Sequence, residues 1–122
     1  METLNTYLVE DSAVIRQSLI TTLEELTSAK VVGTAADEES ALQWLRLPAN
    51  KVDLVIIDIF LKAGSGMGVL KFASTMNLGA KLVVLTNYAT ADMRRKCLAM
   101  GADRVFDKSN DIDALISYCN QT

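Results

Sequence analysis

Short apolar runs alternate with segments of helical periodicity along the whole chain. Uninterrupted apolar runs of strand length predict β-strands that are buried on both faces. After each run, apolar residues recur every three or four positions, which is the spacing of an amphipathic helix. The pattern predicts strands at residues 4–9, 30–35, 52–57, 81–85 and 104–106, each followed by a helix.

Polar and helix-breaking residues mark the ends of these helices. Ser12 stands where an N-cap is expected, and the acids from Asp37 to Glu39 begin the second helix. Pro48 ends the second helix, and Gly101 ends the fourth. Strict alternation of strands and helices predicts an α/β fold with a parallel sheet and helices on both of its faces. In such doubly wound sheets, ligands bind beyond the carboxyl ends of the strands.

Composition and charge exclude several classes of function. The 122 residues are predicted to form one domain spanning positions 1–122. The net charge of −3 and the lack of any Lys/Arg run argue against direct nucleic-acid binding by this domain. The absence of histidine excludes His-based catalysis and His metal sites. The apolar runs are too short to cross a bilayer, and no leader sequence is visible. We therefore expect a soluble protein without membrane association.

The two cysteines, Cys97 and Cys119, each lie within an apolar-periodic segment. They are therefore expected to be buried packing thiols rather than a disulfide. Unpaired thiols are typical of a reducing compartment, and we expect a cytoplasmic protein.

Functional side chains follow four of the predicted strands. Three carboxylates brought together are costly unless a cation lies among them, and oxygen ligands of this kind favour Mg²⁺. An aspartate at such a place can also attack phosphorus and form an acyl phosphate, for which a lysine and a hydroxyl would supply contacts to the phosphoryl oxygens. The residues in question are Glu10, Asp11, Asp58, Thr86 and Lys108.

These five residues, in this order, resemble the receiver domain of two-component response regulators. The segment "GADRVFDKS" around Lys108 is similar to the approach to the lysine of that family, and the resemblance covers essentially the whole chain. It implies a flavodoxin-like fold with strand order 2-1-3-4-5. It also implies Mg²⁺-dependent transfer of a phosphoryl group from a histidine kinase or phosphotransfer protein onto Asp58. The chain would catalyse its own phosphorylation and dephosphorylation without being an enzyme in the ordinary sense.

The resemblance also implies a role for each site residue. Asp11, Asp58 and the backbone carbonyl of Phe60 would bind Mg²⁺ directly, and Glu10 would act through a metal-bound water. Thr86 and Lys108 would hold the phosphoryl oxygens. Ser109 follows Lys108 where the family usually has proline.

The resemblance further implies a switch. Phosphorylation would draw Thr86 inward and change the surface of the fourth helix, fifth strand and fifth helix, where an effector, an output domain or a second copy of the chain would bind. Val105 occupies the family's aromatic switch position, so Tyr88 or Phe106 is expected to carry the rearrangement. Phe60 and Tyr88 also hold the positions that control the access of water to the phosphorylated aspartate. Because both are bulky and largely apolar, we expect them to shield it.

Two other functions remain open at this stage. A flavodoxin-like cofactor binder would need a phosphate-binding loop after the first strand, where this chain has acids. The glycines at 64, 66 and 68 lack the G-x-G-x-x-G spacing of a dinucleotide site and indicate a turn. A pseudo-receiver, which binds partners without being phosphorylated, would normally lack one of the five site residues.

Overall fold

The computed structural model describes residues 3–122, which form alternating strands and helices. The strands are β1 (Leu4–Val9), β2 (Ala29–Ala35), β3 (Leu54–Ile57), β4 (Lys81–Thr86) and β5 (Arg104–Asp107). The helices are α1 (Ala13–Leu26), α2 (Glu38–Arg46), α3 (Gly66–Thr75), α4 (Ala91–Ala99) and α5 (Ile112–Gln121).

The five strands form one parallel sheet in the order β2-β1-β3-β4-β5. This order and the alternation of elements confirm the predicted flavodoxin-like α/β fold. The chain order reverses at β1 and β3, so the carboxyl ends of these two neighbouring strands form the edge where a ligand site is expected.

Two apolar cores cover the two faces of the sheet. On one face, residues of β1, β3 and β4 pack against α2, α3 and α4. On the other face, residues of the same strands and of β5 pack against α1 and α5. Alternate residues of each strand point to opposite faces, and this alternation explains why every residue of β3 is buried.

Several element ends differ from the predicted ones by one or two residues. β3 begins at Leu54 rather than at residue 52 because Asp53 makes a local clamp with Asn5: its N–H donates to the Asn5 carbonyl, and its Oδ2 accepts the Asn5 N–H, both at 2.8 Å. α3 begins at Gly66, directly after the N-cap Ser65, whose side chain accepts the N–H of Met67.

The cysteine prediction is confirmed: Cys97 and Cys119 are both buried and neither is in a disulfide. Burial raises the pKa of the Cys119 thiol to about 11, which keeps it protonated and unreactive near neutral pH. Within residues 3–122, the helices are all too short or too polar to span a bilayer.

Candidate functional site

The hydrogen-bond ladder of the sheet extends one residue past β1 and β3 and fixes the acids that follow them. The N–H of Glu10 donates to the carbonyl of Ala35, and the N–H of Asp58 donates to the carbonyl of Val9, both at 2.9 Å. Because β1 and β3 are neighbours, Glu10 and Asp58 are held side by side at the end of the sheet.

Three carboxylates meet at this edge. Oxygen atoms of Glu10, Asp11 and Asp58 lie within 4.8 Å of one another. Glu10 is 1% exposed and Asp58 is 6% exposed, whereas Asp11 is partly exposed. Two buried acids this close to a third repel each other strongly when ionised, so the cluster requires a positive partner.

Lys108 provides positive charge to this cluster. Its Nζ lies 3.0 Å from Asp58 Oδ2 and 2.5 Å from Glu10 Oε1. The N–H of Lys108 donates to the Thr86 carbonyl at 3.0 Å, which fixes the lysine at the end of β5. The Lys108–Ser109 peptide bond is trans.

Burial and ion pairing shift the pKa values of this network. Burial is the largest influence on Glu10 and raises its pKa, although the hydrogen bond from Lys108 opposes the shift. Burial alone would lower the pKa of Lys108, but its hydrogen bonds to Glu10 and Asp58 outweigh that effect and raise it. The lysine therefore stays charged at neutral pH and compensates the two buried acids.

Gly66 lets the loop after β3 pack tightly beneath the acid. A Cβ at position 66 would lie 1.9 Å from the carbonyl oxygen of Asp58 and 2.6 Å from the Cα of Ile59, so no side chain fits without moving the backbone. The N–H of Gly66 donates to the Ile59 carbonyl at 2.9 Å. The glycine predicted as a turn residue thus holds α3 against the backbone that presents Asp58.

The acids and the lysine line a cavity of about 180 Å³. Two aromatic side chains stand at its rim: Phe60 and Tyr88 meet edge to face, with ring centroids 4.9 Å apart. They are 51% and 60% exposed, so the pair covers the cavity in part and leaves an opening.

Thr86 is placed differently from the other predicted residues. The cavity is lined by the other five, namely Glu10, Asp11, Asp58, Phe60 and Lys108. Thr86 does not line it. Its side chain is completely buried, and its Oγ1 accepts the N–H of Tyr88 at 3.1 Å. A hydroxyl oxygen that accepts one hydrogen bond still has its own proton to donate.

Sequence reasoning missed Arg16, the one basic residue of α1. Its Nη1 donates to the main-chain carbonyl of Glu10 at 2.7 Å, while Glu10 Oε2 accepts the N–H of Ser12 at 3.0 Å. The signal was available, because Arg16 comes one helical turn after the N-cap Ser12 and so faces the end of β1.

Comparison with known sequences identifies the family. The family model described as "Response regulator receiver domain" matches residues 6–120. Response regulator UvrY of Escherichia coli O6:H1 is 29% identical over 99 residues, which are 81% of this chain and 44% of that protein. A protein-glutamate methylesterase/protein-glutamine glutaminase of Clostridium acetobutylicum is 26% identical over 104 residues, which are 84% of this chain and 30% of that protein. The chain thus spans less than half the length of these two relatives.

Solved structures share the fold. The receiver domain of Francisella response regulator 1452 superposes with a TM-score of 0.85 at 24% identity, covering 98% of this chain and 95% of that one. A second solved structure is a Burkholderia pseudomallei response regulator, crystallised with a phosphorylated aspartic acid, calcium ion and citrate. It gives a TM-score of 0.82 at 23% identity, and the match covers 99% of this chain and 68% of that one. From the family match over residues 6–120, we conclude that this chain belongs to the response regulator receiver domain family of two-component signalling.

Proposed function

We propose that this domain accepts a phosphoryl group on Asp58 in a Mg²⁺-dependent reaction. The observation that carries the proposal is the position of Asp58, a buried carboxylate between the acids Glu10 and Asp11 on one side and the ammonium of Lys108 on the other. The ammonium can pair with one negative charge of a phosphorylated aspartate, and a cation held by the two acids would offset another.

The donor set fits Mg²⁺. Carboxylate and carbonyl oxygens are the ligands of hard divalent cations, and Mg²⁺ keeps several waters when one or two carboxylates bind it. Asp11, Asp58 and the carbonyl of Phe60 would hold the ion directly, and Glu10 would hold it through water. When bound, Mg²⁺ supplies positive charge that screens the incoming phosphoryl group from the acids.

Three residues of the chain have distinct roles in the proposed phosphoryl transfer. A carboxylate oxygen of Asp58 attacks phosphorus, and the bond between phosphorus and its donor breaks with both electrons leaving on the donor atom. Lys108, already 3.0 Å from Asp58 Oδ2, pairs with a phosphoryl oxygen. The Thr86 hydroxyl would donate a hydrogen bond to another phosphoryl oxygen after its side chain turns toward the cavity.

The test is phosphoryl uptake measured by intact mass. With acetyl phosphate and Mg²⁺ we expect the wild-type protein to gain one phosphoryl group, and we expect uptake to stop when the metal is chelated. A histidine kinase or phosphotransfer protein, as the physiological donor, is tested by following its phosphoryl group onto Asp58. No uptake with any donor would instead favour the pseudo-receiver, a domain that binds partners without being phosphorylated.

Apolar side chains around the cavity suit a protein donor. Val14 and Ile15 on α1 are 81% and 38% exposed, and Ile15, Phe60 and Tyr88 line the cavity itself. A donor must cover this rim to bring a phosphohistidine to Asp58, and contact with it would bury apolar surface now in water.

The second part of the proposal is a switch through β4, α4, β5 and α5. Thr86 Oγ1 accepts the N–H of Tyr88, so a turn of Thr86 toward a phosphoryl group breaks that bond and frees the loop before α4. Arg94 ties the same loop to the next elements: it donates to the carbonyls of Ala89 and Val105, at 3.0 and 2.8 Å, and to Asp111 at 3.2 Å.

Of the two aromatics proposed to carry the rearrangement, the contacts favour Tyr88. Phe106 packs on the α1/α5 face of the sheet against Tyr118, away from α4. We expect amide hydrogen exchange in residues 86–94 to become faster on phosphorylation, because the Thr86–Tyr88 bond is lost. Identical exchange in the two states would contradict the switch.

The proposed setting of this single domain, residues 1–122, is a phosphorelay in the cytoplasm. Its downstream partner would be an effector or an output domain, and a phosphorylation-dependent homodimer would use the same α4, β5 and α5 surface. The buried thiols suit a reducing compartment. The net charge of −3 argues against direct nucleic-acid binding by this domain, and we propose no membrane partner for it.

A further inference from the structure

Glu38, the first residue of α2, reaches across to the loop that presents Asp58. Its Oε1 accepts the N–H of Ser65 at 2.8 Å, and its own N–H donates to the carbonyl of Ala63 at 3.2 Å. The two bonds hold the residues on either side of Gly64. A hydrogen bond to a carboxylate is roughly twice as strong as one between neutral groups.

Two glycines make the space that the Glu38 side chain occupies. A Cβ at Gly64 would lie 2.5 Å from the Glu38 Cβ, and a Cβ at Gly68 would lie 2.3 Å from Glu38 Oε2. The carboxylate therefore lies against the first turn of α3, where the positive end of the helix dipole favours an anion. These glycines, predicted only as turn residues, also make room for a side chain from α2.

The residues that Glu38 holds are next to the three carboxylates of Glu10, Asp11 and Asp58. Lys62, directly before Ala63, donates its N–H to Asp11 Oδ2 at 2.9 Å. Earlier in the same loop, the N–H of Phe60 donates to Asp58 Oδ1 at 3.3 Å. The loop thus runs from Asp58, past Asp11, to its attachment at Glu38.

We propose that Glu38 is a positioning residue for the metal site, a role that rests on the proposed function. By fixing residues 63–65 it sets where the Lys62 N–H holds the Asp11 carboxylate and where the Phe60 carbonyl lies. Without it the loop samples several positions, and the ligands must be ordered again each time Mg²⁺ binds, which weakens binding.

The test measures the Mg²⁺ concentration that gives half-maximal phosphorylation by acetyl phosphate. Glu38→Ala should raise this concentration about threefold to tenfold, the loss expected when one charge-assisted hydrogen bond ceases to order the loop. Glu38→Gln keeps an oxygen acceptor for Ser65 and should stay close to wild type. Glu39→Ala is the matched control, because Glu39 is the exposed neighbour in the same helical turn and loses the same charge.

Gly68→Ala separates positioning from a merely structural role. Alanine favours a helix over glycine, which offsets the stability lost with the Glu38–Ser65 hydrogen bond, so we expect stability to unfolding close to that of wild type. Its methyl group nevertheless displaces the Glu38 carboxylate and should raise the Mg²⁺ requirement in the same direction as Glu38→Ala. Unchanged Mg²⁺ requirements in both Glu38→Ala and Gly68→Ala would overturn the proposal.

Amide exchange keeps the two proposals distinguishable. If the wild type takes up no phosphoryl group, the proposed function fails, and the Lys62 and Ser65 amides then decide the role of Glu38. Faster exchange at both amides in Glu38→Ala, compared with Glu39→Ala, supports control of the loop by Glu38. Exchange at Lys62 equal to that of the control overturns it.

Discussion

Asp58→Asn is expected to abolish phosphorylation by acetyl phosphate and Mg²⁺. A carboxamide has the shape of the carboxylate but offers no anionic oxygen to attack phosphorus. The rate should therefore fall by about a hundredfold or more, as when enzymes lose their nucleophile. The substitution would also leave Lys108 with only Glu10 as its acidic partner. The measurement is intact mass over time, with the site located by peptide mapping.

Asp53→Asn is the control for this change. Asp53 precedes the same strand at its other end, so the substitution repeats the loss of an acid far from the cavity. An asparagine oxygen can still accept the N–H of Asn5, so we expect uptake at the wild-type rate. The assignment would be refuted by an Asp58→Asn protein that gains a phosphoryl group as fast as wild type.

The fold and the placement of most site residues could be predicted because both depend on local patterns. Apolar runs identify buried strands, and strict alternation of strands with helices is typical of a parallel sheet that helices cover on both faces. Once the strands are parallel, residues that follow β1, β3 and β5 must come together at one edge. Acids at such positions therefore revealed a charged site before any contact was known.

What the sequence could not reveal depends on side-chain direction and on contacts between distant segments. Thr86 follows the same rule as the acids, yet its side chain turns away from the cavity to the N–H of Tyr88. The bond from Ser65 to Glu38 joins residues 27 positions apart, and that from Lys62 to Asp11 joins residues 51 apart. No periodicity encodes such pairs, because they depend on how two loops meet in space.

The contact between Phe60 and Tyr88 also joins two loops that are distant in the sequence. It bears on how long Asp58 stays phosphorylated. Hydrolysis requires a water in line with the bond between phosphorus and the Asp58 oxygen. Both rings line the cavity and touch edge to face, but they are 51% and 60% exposed, so the contact supports partial shielding of Asp58. Neither side chain carries a carboxylate or carboxamide that would orient the water.

Phe60→Asn and Tyr88→Glu are therefore each expected to shorten the lifetime of phosphorylated Asp58. Each change opens the rim and places an oxygen where it can hydrogen-bond to the attacking water. We expect about a tenfold faster decay, equivalent to about 1.4 kcal/mol in the barrier. The measurement is loss of the phosphoryl group, by intact mass, after the donor is removed in the presence of Mg²⁺.

Tyr88→Phe distinguishes shielding from a role of the tyrosine hydroxyl. It keeps the ring that meets Phe60 and removes only the oxygen, so shielding predicts a lifetime equal to that of wild type. If the ring is the barrier, Tyr88→Phe and Tyr88→Glu must differ, since one keeps the edge-to-face contact and the other loses it. Equal lifetimes in the wild type, Phe60→Asn and Tyr88→Glu would mean that water reaches Asp58 by a path that neither ring covers, such as the side of the cavity lined by Asp11 and Ser12.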